Sequence, residues 1–348
     1  MEHVLASLLG LWLLFLILRS MIRLALMNCH YRDFVNQVTG RAVYTAVALR
    51  LRGNRDSRAT HPVLLWFFPA YILSLIIVYF VGAMIAFMVL YWGAGAVNTW
   101  HQAFLASGSA LNTLGFATPT TIVGQCLAIP EGALGLGIVV FLFTFIPSYQ
   151  AVIRSREDKT SWLYVRTGDQ PTGVAMLEWC QRAGIAGNMN DVWEAWEDWF
   201  RTLGVTHSVL PMLTMSPSAQ TGQSWVQAAA AVLDAAALAA SSIEIGNAEA
   251  AKICARTGTR ALLAIADALG QARSASEQRQ THPSREKYQA VRARLSSAGI
   301  ALRSAINEET QWQEYLSSRG QYEEALMFVA RRTFAPLDGL LIDRLESR

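Results

Sequence analysis

The sequence predicts an all-α membrane protein, with a membrane half first and a helical aqueous half after it. Three observations carry this. Hydrophobic residues fill 53% of the 348 positions and charged ones only 16%, yet the long apolar runs all fall before residue 150. Arginines flank two of these runs on their outer sides and are missing from the loop between them. The remainder alternates Ala-rich helical stretches with polar, Pro- and Gly-containing joints.

Residues 4–18 form an uncharged, Leu-rich run, and Arg19, Ser20 and Arg23 follow amid further apolar residues. A crossing helix needs ~20 residues, so this run spans if its helix continues to about Met27 with the arginines snorkelling to the surface. A signal peptide would show a basic region before the run and an A-x-A site after it, and neither is present. An interfacial amphipathic helix is the other arrangement the stretch allows. Between residues 19 and 58 stand Arg19, Arg23, Arg32, Arg41, Arg50, Arg52, Arg55 and Arg58, against Asp33 and Asp56. Basic residues beside spans mark the cytoplasmic side and favour anionic lipid headgroups; no nucleic-acid role is expected.

Residues 62–92 carry no charge and are long enough to span, with Pro69 expected to kink the helix and Tyr91-Trp92 to anchor its far end. Residues 93–130 contain no Lys, Arg, Asp or Glu. An uncharged loop between two spans can re-enter the membrane when protein or water shelters its backbone. Residues 98–112 are compatible with a short helix, 113–119 are extended and turn-like, and 120–130 lead back to a third apolar run. That run starts near Glu131, ends at Pro147, and is followed by the charged stretch from Arg154 to Lys159. By the positive-inside rule the loop faces outward and the last two hundred residues lie in the cytoplasm.

A short helix followed by Thr113, Leu114, Gly115, Phe116, Ala117 and Thr118 resembles the pore domain of potassium channels, whose filter reads T-V-G-Y-G-D. The resemblance implies a pore module of span, pore helix, filter loop and span. Backbone carbonyls there replace the hydration shell of a passing monovalent cation, potassium or sodium. The C-terminal end of the short helix, near residues 111–112, would aim its partial negative charge at the ion. Phe116 keeps a ring but lacks the tyrosine hydroxyl. Ala117 replaces a glycine, and a left-handed backbone there costs an L-residue ~1–2 kcal/mol. Thr118 replaces an acid, and residues 98–112 offer no carboxylate behind the filter. Potassium selectivity is therefore not implied, whereas cation conduction is.

The glycines Gly132, Gly135 and Gly137 open the third run, where they either weaken the helix or admit close helix contact. Glu131 fits either a cation-attracting vestibule or a helix cap. The run from Phe145 through Pro147, Tyr149, Arg154 and Arg156 to Glu157 is similar to bacterial two-span, potassium-channel-like membrane proteins with a helical cytoplasmic domain. Residues 223–226 and 229–234 extend that likeness, which covers about 61–270.

In the second half, Trp193, Trp196 and Phe200 share one helix face and read as core. Residues 208–223 read as a loop, while 224–243 and 247–269 read as paired Ala-rich helices. Residues 271–285 read as a flexible joint, helices are expected at 286–306 and 308–331, and a short one closes the chain. Glu308, Glu309, Glu323 and Glu324 have Arg303, Arg319, Arg331 and Arg332 nearby, which predicts salt-bridged surfaces. The cysteines Cys29, Cys126, Cys180 and Cys254 and the six histidines are scattered without metal-ligand spacing, so no cofactor is expected. No G-x-G-x-x-G, P-loop or nucleophile elbow is present, and an enzyme is not expected.

The expected organisation is an N-terminal membrane helix (1–28), a basic cytoplasmic linker (29–60), a pore module (61–156) and a helical cytoplasmic domain (157–348). The expected protein is a homotetrameric cation channel among the lipids of a bacterial inner membrane, since one chain supplies one filter strand. A non-conducting membrane scaffold or sensor is the alternative, and a membrane-tethered interaction protein a third.

Overall fold

The computed structural model describes residues 1–26, 33–51, 57–244, 248–271, 284–304 and 306–336, and among these it is all-helical, with one isolated bridge between Ile243 and Leu302. Cys29, His30, Arg32, Arg52, Arg55, Asp56, most of the joint expected at 271–285 and the closing helix lie outside the described residues. The chain divides into two compact units, Met1–Arg52 with Trp66–Ala151, and Gly53–Leu65 with Val152–Arg348.

In the first unit, α1 (Glu2–Leu26) runs the full length expected of a span. It packs antiparallel to α4 (Phe67–Gly93): His3 meets Trp92, Gly10 faces Leu90, Ile17 faces Gly82, and Ser20 Oγ lies 2.9 Å from the Tyr79 hydroxyl. Glycine lets these helices approach closely, since a Cβ on Gly10 or Gly82 would come within 2.7 Å of the facing side chain. Between them in sequence, α2 (Phe34–Leu51) lies within the stretch expected to be a linker. Asp33 starts it by accepting from Asn36 N–H at 3.0 Å, which satisfies one of the unpaired amides of a helix N-terminus.

The kink expected at Pro69 shows as a one-residue interruption at Trp66, whose backbone stays in the right-handed helical region. Helix α3 (Ser57–Leu65) stops and α4 restarts at Phe67, because a proline ring displaces the carbonyl four residues earlier, here Leu65. After α4 come α5 (Trp100–Leu111) and α6 (Ile122–Thr167). Helix α6 corrects the expected run from 131 to 147: it begins nine residues earlier and continues through Pro147 and the charged residues 154–159 for 46 residues. A charge cluster stops a membrane span, but Arg, Glu and Lys are good helix formers and do not stop a helix.

The second unit is a helical bundle. It contains α7 (Gly173–Arg182), α8 (Asn190–Val209), a 3₁₀ turn (Pro211–Met215), α9 (Trp225–Ser242), α10 (Ala248–Ala268), α11 (Arg285–Ser297), α12 (Glu308–Gly320) and α13 (Glu323–Arg332). Trp193, Trp196 and Phe200 are buried as their spacing predicts, and Trp199 joins them. The helix expected over 286–306 ends at Ser297. There Gly299 takes a left-handed conformation (φ +80°) and the amides of Gly299 and Ile300 return to Ser296 and Leu295. The helix expected over 308–331 is likewise two helices, parted at 321–322.

Among the described residues, four helices are long and apolar enough to cross a membrane: Glu2–Leu24 within α1, Thr60–Gly93, α6 and α9. Helix α9 differs in kind, because 94% of it is buried inside the structure, against 22%, 33% and 18% of the other apolar windows. It is the centre of the bundle, covered by α7, α10, α12 and α13, whereas α1, α4 and α6 leave Leu8, Trp12, Leu73, Ile77, Ile129 and Phe143 exposed.

Candidate functional site

Helix α5 is inserted between α4 and α6, which run antiparallel: Phe68 stacks on Tyr149 at one end and Tyr91 bonds Glu131 toward the other. Thr99 starts α5 by accepting from Gln102 N–H at 3.2 Å. Trp100 stacks on Trp92 at the upper end of α4. From there α5 descends. Ser107 Oγ lies 3.1 Å from the Met84 carbonyl oxygen, about nine residues, or ~14 Å at 1.5 Å per residue, below the end of α4. Gly135 of α6 receives the last turn, where a Cβ would overlap the Leu111 carbonyl oxygen; Ala110 O also faces Gly132. Of the three predicted glycines, Gly135 is required by this contact, Gly132 adjoins it, and Gly137 has open space around it.

Thr113 caps α5 rather than continuing straight from it. It has a left-handed backbone (φ +55°), its amide returns to Ala110 O at 2.9 Å, and Leu114 N–H returns to Ser109 O at 2.9 Å. This is the cap geometry usually given to glycine. The second left-handed residue is Gly115 (φ +71°). Ala117 is not left-handed, so the strain expected there falls on Thr113 instead; Ala117 N–H donates to Ser109 Oγ at 3.0 Å. The segment then climbs back, and Thr121 Oγ1 donates to Ala96 O at 3.3 Å.

The structure brings Thr113, Leu114, Gly115, Phe116, Ala117 and Thr118 together as one projecting turn. Leu114 and Phe116 are each 65% exposed. Among the described residues, the carbonyls of Thr113, Leu114, Gly115 and Phe116 accept no hydrogen bond.

Glu131 neither caps a helix nor lies in a vestibule. It sits about nine residues inside α6, fully buried, with Oε1 2.5 Å from Ser107 Oγ and Oε2 accepting from the Tyr91 hydroxyl at 2.8 Å. The carboxyl group that α5 meets comes from α6 and bonds Ser107, not the 113–118 turn. Sequence spacing could not reveal it, since its partners are 24 and 40 residues away.

Among the described residues, the second unit holds two buried charge clusters. Arg156 donates to the carbonyls of Leu213, Ser216 and Pro217, and its Nη1 lies 3.2 Å from His207 Nε2. Burial, reinforced by that guanidinium, holds the His207 pKa well below the usual imidazole range. Arg319, expected on the surface, is buried against Asp234 at 3.2 Å, and the Tyr322 hydroxyl donates to the same carboxylate at 2.5 Å. Burial opposes the Arg319 charge most strongly, but Asp234, Tyr315, Tyr322 and Glu323 together outweigh it and raise the guanidinium pKa well above its ordinary value. Among the described residues no cluster of three or more His, Cys, Asp or Glu has metal-binding geometry.

Comparison of the chain with protein-family models, curated proteins and solved structures finds no match.

Proposed function

We propose that the first unit is one protomer of a cation-permeable pore lined by residues 113–118 of several copies. The observation that carries this reading is the set of unbonded carbonyls from Thr113 to Phe116, held on an uncharged turn between two apolar helices. Irregular backbone is tolerated at membrane depth only where protein covers it or water and ions solvate it. Oxygen dipoles without a positive partner suit a partly dehydrated monovalent cation, potassium or sodium. The cap uses the Gly108, Ser109 and Ala110 carbonyls, so the loop oxygens, more than the α5 dipole, would face the ion.

Four copies would close the ring, as four filter strands do in the channels the sequence resembles. The antiparallel course of α1, α4 and α6 supports an orientation as well. It gathers the uncharged 94–121 segment and residue 3 at one end, and Arg19 and Arg23 toward the other. A basic end facing the cytoplasm of a bacterial inner membrane follows the positive-inside rule, and the second unit would then be cytoplasmic.

The test is cation flux into liposomes carrying the purified chain. Wild type is expected to pass K⁺, Na⁺ or Rb⁺, and Gly115→Val to abolish flux, because a β-branched residue opposes the left-handed backbone in every copy. Ala117→Gly with Thr118→Asp is expected to raise the K⁺/Na⁺ permeability ratio by adding an acidic ring at the mouth. Wild-type liposomes that pass none of these ions at any voltage would overturn the pore and leave the membrane-scaffold reading.

A further inference from the structure

We infer that Glu131 is a proton-binding site: its carboxyl group holds a proton, and the neutral acid ties α5 to α4 and α6. The argument is a count of hydrogens. Ser107 Oγ lies 2.5 Å from Glu131 Oε1 and 3.1 Å from the Met84 carbonyl oxygen, and Tyr91 donates to Oε2 at 2.8 Å. A serine hydroxyl has one hydrogen to give, a carbonyl has none, and an ionised carboxylate has none. With Glu131 ionised, Ser107 faces two acceptors with a single hydrogen, and one close contact has none. With Glu131 protonated, every contact is satisfied. Oε1–H donates to Ser107 Oγ, Ser107 donates to Met84 O, and Tyr91 donates to Oε2.

The surroundings agree with this count. Glu131 is 0% exposed, and no Lys, Arg or His takes part in its hydrogen bonds. A carboxylate buried without a counter-charge is strongly disfavoured, and taking up a proton is the usual remedy. On α4 the titratable group facing it is Tyr91. On α5 it faces Ser107, which does not ionise, while His101 is exposed at the upper end of that helix. Its own helix carries no other charge until Arg154, and Cys126, a turn and a half away, is exposed. On α1, His3 bonds the Trp92 carbonyl at the helix end.

Loss of the proton changes the connection. Ser107 must then choose between Met84 and Glu131, so one tie between α5 and its neighbours opens as pH rises. The inference concerns protonation and not ion passage, and its test reads no current; it and the pore reading therefore stand or fall separately.

The experiment is infrared spectroscopy of the full chain in lipid, comparing wild type with Glu131→Gln across pH. The expected difference spectrum at neutral pH contains a carboxylic-acid C=O band that vanishes on the alkaline side. Carboxylate bands alone at neutral pH would overturn the inference. Tyr91→Phe supplies a second arm should Glu131→Gln fail to fold: removing the donor to Oε2 is expected to move the same band to higher frequency, and no shift counts against the assignment. In thermal melts, Glu131→Gln, which can donate to Ser107 and accept from Tyr91, is expected to keep the wild-type midpoint while Glu131→Ala loses several degrees. A Gln variant as unstable as the Ala variant would show that the charge was needed.

Discussion

His207 shows how a single side chain sets a pH limit on the second unit. Its imidazole is enclosed and lies beside the Arg156 guanidinium, so the native state holds it neutral, whereas the unfolded chain takes up a proton below about 6.5. The unfolded state then binds more protons, and stability falls as pH drops below that value. The loss approaches ~1.4 kcal/mol per pH unit while the native imidazole stays neutral. Denaturant unfolding followed by tryptophan fluorescence between pH 7.5 and 5 is expected to show this slope in wild type and a flatter one in His207→Gln. Equal slopes would remove His207 from the account. The sequence did not expose this role, because His207 sits 51 residues from Arg156 and nothing in its neighbours marks it. Trp193 and Trp196 were legible for the opposite reason: helical spacing places both on one face before any partner is known.

At the scale of the element, the seat of α5 on α6 rests on one missing methyl group. Gly135→Ala drives a Cβ into backbone atoms of Leu111, which cannot rotate away as a side chain would. Overpacking of this kind typically costs ~1–3 kcal/mol. Gly137→Ala meets open space and is expected to be neutral or slightly stabilising, since alanine favours helix over glycine by ~1 kcal/mol. Thermal melts of the two variants in detergent check the contrast, and a Gly135 variant as stable as wild type would mean that α5 does not sit where described. Helix α5 itself was legible as the uncharged, helix-compatible stretch 98–112, of which the structure forms Trp100–Leu111 behind a Thr99 cap. Its seat was not, because all three glycines look alike in sequence. The turn after it was half legible: its residues were placed correctly, but the strained backbone belongs to Thr113, whose left-handed geometry serves the end of the helix.

At the scale of the whole molecule, the first unit has apolar surface and unbonded loop carbonyls that a single chain does not cover. Lipid can cover Ile129 and Phe143, but it cannot solvate the carbonyls of Thr113 to Phe116. The four-fold assembly proposed above would answer both needs, and on that proposal native mass spectrometry of the detergent-purified chain is expected to show four times 38.3 kDa. A stable monomer or dimer would undercut a ring of four. The division into an exposed apolar half and a self-contained bundle was legible from where charge is absent. The long continuous α6 was not, because a stretch that ends a membrane crossing does not end a helix.

Helix α9 has a consequence for how the chain is made. Its 18 residues satisfy the length and apolarity of a span, yet they end as the centre of the bundle. During synthesis α9 emerges after α7 but before α10, α12 and α13, so it first meets its surroundings without most of the helices that later bury it. Asp234 lies near its middle, where an acidic residue opposes insertion by ~2.5–3.5 kcal/mol. The carboxylate that binds Arg319 in the bundle therefore also makes α9 a poorer membrane segment than its length and apolarity suggest.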